Sequence, residues 1–410
     1  MSVVVSKLDF LFTCVSLLCL LGDIVLDVCA VVTFYQAEDY VCVGLLLLFL
    51  LGSSVLVQVF SWLWYCYDGF RTQTKAESCL SRPCLKLLHV VQLGSYVRFA
   101  GVVESSLLYF NKKDPQGYAS YPNHDLSLLR LIETFSEGAP QFVLMLTLLL
   151  QRFQLDPVKV LKSIASASAI ACSVTIYHRS LRFFLPDKRK QSFLSSVVYF
   201  LWNLCLLASR LTSLALFASV LPCFVFVHFF CSWLVLFFFA WRSKTDLMDS
   251  PGGEWLYRAT VGLIWYFDWF NVSEGKTRNR TILYHGYILA DVSLLCGLWY
   301  WAMNTDPPYV EIPHLVSVII ALSVVGVYII GLLCKVIYYK CYHPNLSKGD
   351  LKGSESQQEP ERSTEHPRGE DQVMFRTGIY NMDVVDSPEP SPATEHYNKR
   401  MRRLAGNFYS

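Results

Sequence analysis

Charge is scarce in this chain. Of its 410 residues, 17% are charged and 53% are hydrophobic, whereas a soluble domain carries roughly a quarter charged residues. That shortage argues against a water-solvated fold, and a formal net charge of +2 leaves no basic surface for nucleic acid. Catalytic signatures are missing as well. The sequence has no GxxxxGK[ST] loop for nucleotide phosphates, no HExxH pair for zinc and no GxSxG nucleophile elbow. Glu133 and Glu137 share a helix, without the histidine that di-iron bundles place three residues after a glutamate. The expectation is a protein without covalent chemistry, cofactor or metal, in which any transport runs downhill and without ATP. The 14 cysteines include no CxxC pair and sit mostly in apolar blocks, which predicts reduced, buried thiols. No small-residue cleavage site follows the first apolar block, so that block is expected to be retained as a helix.

What is abundant is long apolar sequence, the mark of membrane-crossing helices. Residues 8–35 and 41–67 are each long enough to span. The link between them carries Glu38 and Asp39, while the loop after them carries Arg71, Lys75 and Arg82. The positive-inside rule then places the N-terminus and that loop in the cytosol. Residues 124–153 and 158–186, 194–220 and 222–241, and 281–303 and 312–338 form three further hairpins. Basic loops at Lys188-Arg189-Lys190 and at Arg242 and Lys244 again mark the cytosolic side.

Two segments break the pattern. Residues 84–110 hold Lys86, His89, Arg98 and Glu104, and both flanks are basic; residues 255–272 are short, with Lys276, Arg278 and Arg280 on the far side. Both are expected to dip into the membrane and return. The order is hairpin, dip, hairpin, twice over. It predicts an all-α polytopic membrane protein of eight transmembrane helices and two re-entrant half-buried helices, in two pseudo-symmetric halves, 1–187 and 188–342. Ten plain spans is the alternative. Residues 343–410, rich in Ser, Glu, Gln, Pro and Lys, are expected to be a disordered cytosolic tail. Within the tail, Lys399, Arg400, Arg402 and Arg403 precede Leu404 and Phe408, as in a short basic amphipathic helix. Sequons at Asn271, Asn279 and Asn345 all fall on the cytosolic side and should go unused.

The candidate functional residues are the charges inside the apolar blocks. Asp23 and Asp27 are one helical turn apart, and Arg130, Glu133 and Glu137 are spaced by three and four, so each set shares a face. A charge at the bilayer centre costs about 2.5–3.5 kcal/mol on insertion scales. These groups are therefore expected to pair with one another, the four acids against Arg98 and Arg130, or to line a hydrated groove. A bracing ion-pair network and a polar path are both consistent with the pattern. The second half has fewer such charges, Arg210, Asp268, Asp291 and Lys335, and these are assigned only to packing. In the tail, Asp383-Val384-Val385-Asp386-Ser387 would suit a protease that grips two aspartates and cuts before a small residue, after Asp386.

Several stretches are similar to a known family. Ser127 to Phe135, followed by Glu137, Ala139, Pro140 and Gln141, resembles the signature of the XK-related membrane proteins. So do Tyr177-His178-Arg179, Glu254-Trp255-Leu256-Tyr257-Arg258 and Trp269-Phe270-Asn271-Val272, the last two in the manner of its apoptosis-activated members. The resemblance covers about residues 20–345 and 400–408. It implies a plasma-membrane phospholipid scramblase that moves phosphatidylserine and other lipids both ways without ATP. It carries Asp23, Asp27, Arg98, Arg130, Glu133 and Glu137 over as intramembrane charges. It further implies silence until an executioner caspase of the caspase-3 type cuts after Asp386. A single-span immunoglobulin-type chaperone, of the basigin or neuroplastin kind, is implied as a partner. The alternatives are a transporter or channel for a small polar solute, using the same charges, and a non-conducting scaffold.

Overall fold

The computed structural model describes residues 7–70, 74–110, 120–152, 157–184, 191–243, 245–272, 278–308 and 312–342. The tail with Asp383, Asp386, Ser387, Lys399, Arg400, Arg402, Arg403, Leu404 and Phe408 lies outside the described residues, as do Asn345, Arg71, Lys112, Lys113, Lys188 to Lys190, Lys244 and Lys276. All regular structure among the described residues is helical. In chain order it runs α1 (Lys7–Gln36), α2 (Tyr40–Tyr67), α3 (Lys75–Ser78), α4 (Arg82–Val90), α5 (Gly94–Phe110) and α6 (Ser120–Glu133). A π-turn (Thr134–Gly138) leads directly into α7 (Ala139–Arg152). Then come α8 (Pro157–Phe184), α9 (Phe193–Val220), α10 (Pro222–Arg242), α11 (Pro251–Phe267), α12 (Arg278–Thr305) and α13 (His314–Ile337), which ends in a second π-turn (Tyr338–Tyr342). Among the described residues, five helices are long and apolar enough to cross a bilayer: α2, α9, α10, α12 and α13. The chain is a multi-pass membrane protein. Helix is the form such segments must take, because it satisfies every backbone N–H and C=O within the segment.

Local chemistry sets the boundaries. Asp39 accepts from the Cys42 N–H, Ser192 from Ser195 and Ser250 from Gly253, each an N-cap that satisfies an orphan amide. Pro222 and Pro251 open α10 and α11, where a missing N–H costs nothing. α9 is the hub. In its most apolar stretch 67% of residues are buried, against 17% for α10, and it packs on α7, α8, α10, α11, α12 and α13. Its Ser209, Ser213, Ala215, Ala218 and Ser219 are small enough to let neighbours approach. The neighbours answer in kind: Gly331 of α13 sits against Leu206 and Cys205, and Gly262 of α11 lies against the Phe237 backbone.

The helical blocks follow the sequence expectation closely, with four departures. The 84–110 segment is two helices, not one, because the chain turns at Val91–Leu93 with Gln92 at φ 67°. The helix expected through 272 stops at Phe267, where Asp268 takes extended backbone. The plain helix expected over 124–153 is widened at 134–138. Pro140 has no N–H and its ring crowds the carbonyl four residues back; the chain relaxes by bonding the Ala139 N–H to the Thr134 carbonyl, five residues away. Lastly, the cysteines are not uniformly buried: Cys29, Cys66, Cys79, Cys84, Cys223, Cys231 and Cys341 are exposed. An apolar run in a membrane helix faces lipid as readily as protein, so an apolar neighbourhood does not imply a core position.

Candidate functional site

The face of α2 that turns inward carries Ser53, Ser54, Gln58, Ser61 and Tyr65, spaced by three to four residues in an otherwise leucine-rich helix. The α4–α5 hairpin lies along this face in register. Arg82 stacks over Phe70 just past the end of α2, with its guanidinium 4.9 Å from the ring. Further on, His89 meets Ser61, with Nε2 3.0 Å from Oγ. The turn reaches the middle of α2: Ser54 donates to the Gln92 side chain at 2.8 Å, and Gln58 donates to the Gln92 carbonyl at 3.0 Å. Gln58 also exchanges bonds with Ser95, donating to its hydroxyl and accepting from its N–H. α5 then returns past Arg98, and Glu104 accepts from the Ala76 N–H at 2.8 Å.

Arg98 is the buried anchor of this seam. It donates to the Ser61 hydroxyl at 3.0 Å and to the Ser61 carbonyl at 3.1 Å, lies 3.9 Å over the Tyr65 ring, and pairs with Asp125 of α6 at 3.3 Å. Tyr65 in turn donates to Glu77 at 2.9 Å. The hydroxyl of Ser61, already accepting from Arg98, is left to donate to His89 Nε2, while His89 Nδ1–H points at the Leu85 carbonyl. One tautomer satisfies all the partners.

The expected pairing of four acids against Arg98 and Arg130 holds for Glu133 with Arg130 and is corrected for Arg98. Arg98 is taken by Asp125, an acid the sequence pattern did not single out. Arg130 binds Glu133 at 2.7 Å, one turn along the same helix. Glu137 follows on the π-turn, where its electrostatic neighbours are Glu133, Asp27 of α1 and Ser53 of α2. Ser136 donates to Ser53 at 2.8 Å and to the Ile132 carbonyl at 2.8 Å, and Thr134 donates to the Arg130 carbonyl at 2.7 Å, so hydroxyls serve carbonyls around the widened turn. Asp23 lies on α1 one turn before Asp27, and its side chain is outside the described residues. Asp27, Glu133 and Glu137 are partly exposed, whereas Arg98, Asp125 and Arg130 are buried. The result is a buried ionic spine with an acidic, accessible edge.

The second half holds more polar chemistry than packing alone would need. Arg210, fully buried on α9, pairs with Asp291 of α12 at 2.5 Å, donates to the Tyr266 carbonyl at 3.0 Å and lies over the Tyr266 ring. His228 of α10 completes the knot at 3.0 Å from Asp291 and 3.0 Å from the Tyr266 hydroxyl. Lys335 of α13 meets His285 of α12 at 2.7 Å and lies 5.2 Å over the Trp202 ring. The two histidines went unread because a lone histidine in an apolar block carries no spacing signal. The α2 stripe did carry one, in Ser53-Ser54, Gln58 and Ser61 at helical intervals.

Other motif residues hold connections. Arg179 donates to the Gln191 carbonyl and Ser196 hydroxyl, each at 2.9 Å, closing the α8–α9 link; His178 stacks on Tyr199. Glu254 accepts from the Leu247 and Met248 N–H groups and, with Arg258, secures the α10–α11 link. Trp269 stacks on Trp265, whose indole N–H donates to the Phe270 carbonyl.

Fold and site together define a class: a polytopic α-helical membrane protein with paired charges threaded through its bundle. The XK-related protein family model matches residues 11–344. The chain is 41% identical to XK-related protein 8 of Tetraodon nigroviridis over 99% of its own length and 97% of the relative's. It is 44% identical to the protein of that name from Gasterosteus aculeatus over 83% and 85%, and 36% identical to that of Pan troglodytes over 79% and 81%. The chain belongs to the XK-related family.

Proposed function

We propose that this protein is an ATP-independent phospholipid scramblase of the plasma membrane, exposing phosphatidylserine in dying cells. The observation that carries the proposal is the partly exposed acidic pair Asp27 and Glu137, beside the buried Ser53 midway along α2, at the edge of a buried ionic spine. Such a cluster offers a zwitterionic or anionic head group polar partners in place of water while its acyl chains stay in lipid. Arg98, Arg130, Glu133 and Asp23 extend the path along α5, α6 and α1. In this proposal the membrane arrangement is eight spans with α4–α5 and α11 re-entrant, in halves 1–187 and 188–342, with both termini cytosolic. The register of the α4–α5 hairpin supports re-entry, since both its ends lie near the same end of α2 and its turn stops midway along it.

Control belongs to the tail. Residues 387–410, basic and part amphipathic, hold the resting state, and an executioner caspase of the caspase-3 type releases them by cutting after Asp386, with Asp383 as the second grip. A single-span immunoglobulin-type chaperone, of the basigin or neuroplastin kind, accompanies the protein to the surface. Purified protein in liposomes tests the whole proposal. Fluorescent phospholipids of several head-group types should become accessible from outside without ATP, and only after caspase treatment. Clipped protein that leaves every lipid in its leaflet, or passes a small solute without moving lipid, ends the scramblase proposal. Asp386→Ala should abolish phosphatidylserine exposure in dying cells while surface expression stays unchanged.

A further inference from the structure

We propose that Cys79 and Cys84 form a paired S-acylation site at the root of the α4–α5 hairpin, taking a long-chain fatty acyl group from acyl-coenzyme A. Both thiols are free and exposed. Cys79 caps α3 and Cys84 sits in the first turn of α4, so the two stand five residues apart on one short helix-turn-helix. Arg82, stacked on Phe70 just beyond the end of α2, fixes this segment at the margin of a membrane-crossing helix.

What distinguishes Cys84 from a surface thiol is the ridge it heads. Leu87 follows it by three residues on the same face of α4, and Val91, the C-cap of that helix, by seven; they are 61% and 50% exposed. The opposite face, Leu85 and His89, is buried against α2. An acyl chain on Cys84 has a ready apolar track along that ridge into the bilayer. Lys75, Arg82 and Lys86, all exposed, surround the thiols with positive charge, which favours an anionic membrane surface. Juxtamembrane and amphipathic-helix cysteines are the usual hosts of this modification.

The chemistry balances without a redox step. A cysteine thiolate attacks the thioester carbonyl of the acyl donor, a new sulfur–carbon bond forms, and coenzyme A leaves carrying the thiolate charge, with a membrane acyltransferase as catalyst. A long acyl chain entering the bilayer adds an apolar tether to the edge of this short hairpin. The site needs the cytosolic orientation proposed for the loop around Lys75 and Arg82.

The test is acyl exchange on the full-length protein from cells. Free thiols are blocked, thioesters are cleaved with hydroxylamine, and the released thiols are mass-tagged. Wild type should show hydroxylamine-dependent tags, with one lost in Cys79→Ser, one in Cys84→Ser and two in the double variant. Equal tagging of wild type and double variant overturns the proposal. Membrane-impermeant maleimide separates the two ways it can fail. Labelling of Cys79 and Cys84 in intact cells defeats the orientation. Full labelling after permeabilisation alone, without hydroxylamine, leaves the orientation standing and defeats the acylation.

Discussion

Arg98 and Arg130 look alike in sequence, each an arginine in an apolar block, yet they meet different partners. Arg98 is satisfied by Ser61, Tyr65 and Asp125, and Arg130 by Glu133. Removing one member of a buried pair leaves the other uncompensated, at about 3–5 kcal/mol. Asp125→Ala should therefore lower Tm or abolish monodisperse protein in detergent, with Asp125→Asn intermediate. Glu137 differs, because it sits at the accessible edge. Glu137→Gln should keep the melting behaviour near wild type while slowing lipid transfer several-fold in liposomes. The charged residues themselves were legible from their cost in hydrocarbon. Glu133, one turn from Arg130, was legible as a partner; Asp125 was not, because it lies 27 residues from Arg98 in sequence and only the fold brings the two together.

Helix boundaries were legible where apolar blocks, caps and prolines mark the same positions, as at Ser192 and Pro222; α11, expected from 255, begins earlier, at Pro251 behind its Ser250 cap. The breaks within blocks were not. Nothing in the residue types at Val91–Leu93 demands a turn; it forms because Ser54 and Gln58 wait there to bind Gln92. Gly94 follows the turn, and a Cβ there would meet the His89 ring at 2.3 Å, while that ring is tied to Leu85 and Ser61. Gly94→Ala is expected to cost about 1–3 kcal/mol of overpacking, visible as a lower Tm in detergent. The π-turn has a legible cause in Pro140, but the sequence pattern alone read three and four residue spacings straight through it. Pro140→Ala removes that cause. The turn should tighten toward α-geometry, drawing Glu137 away from Asp27 and Ser53, so lipid transfer should fall with no loss of stability.

The whole molecule is held as one body by α9 and by contacts between its halves. The hydroxyls of Tyr67 and Ser250 are 2.5 Å apart, joining the end of α2 to the start of α11, and Phe267 stacks on Phe135 within the π-turn. The proposed orientation makes a claim at this scale that needs no lipid assay. Asn271 and Asn279 are both exposed, so only their side of the membrane protects them from glycosylation. Glycosidase treatment should leave electrophoretic mobility unchanged; a shift that disappears on replacing either asparagine would put this loop outside. The Phe135–Phe267 stack has a mechanical consequence. The far end of α11 rests on the turn that carries Glu137, so a displacement of α11 would reach that turn. Phe267→Ala, which removes that stack and leaves every acidic group in place, should change the rate at which lipids cross in liposomes.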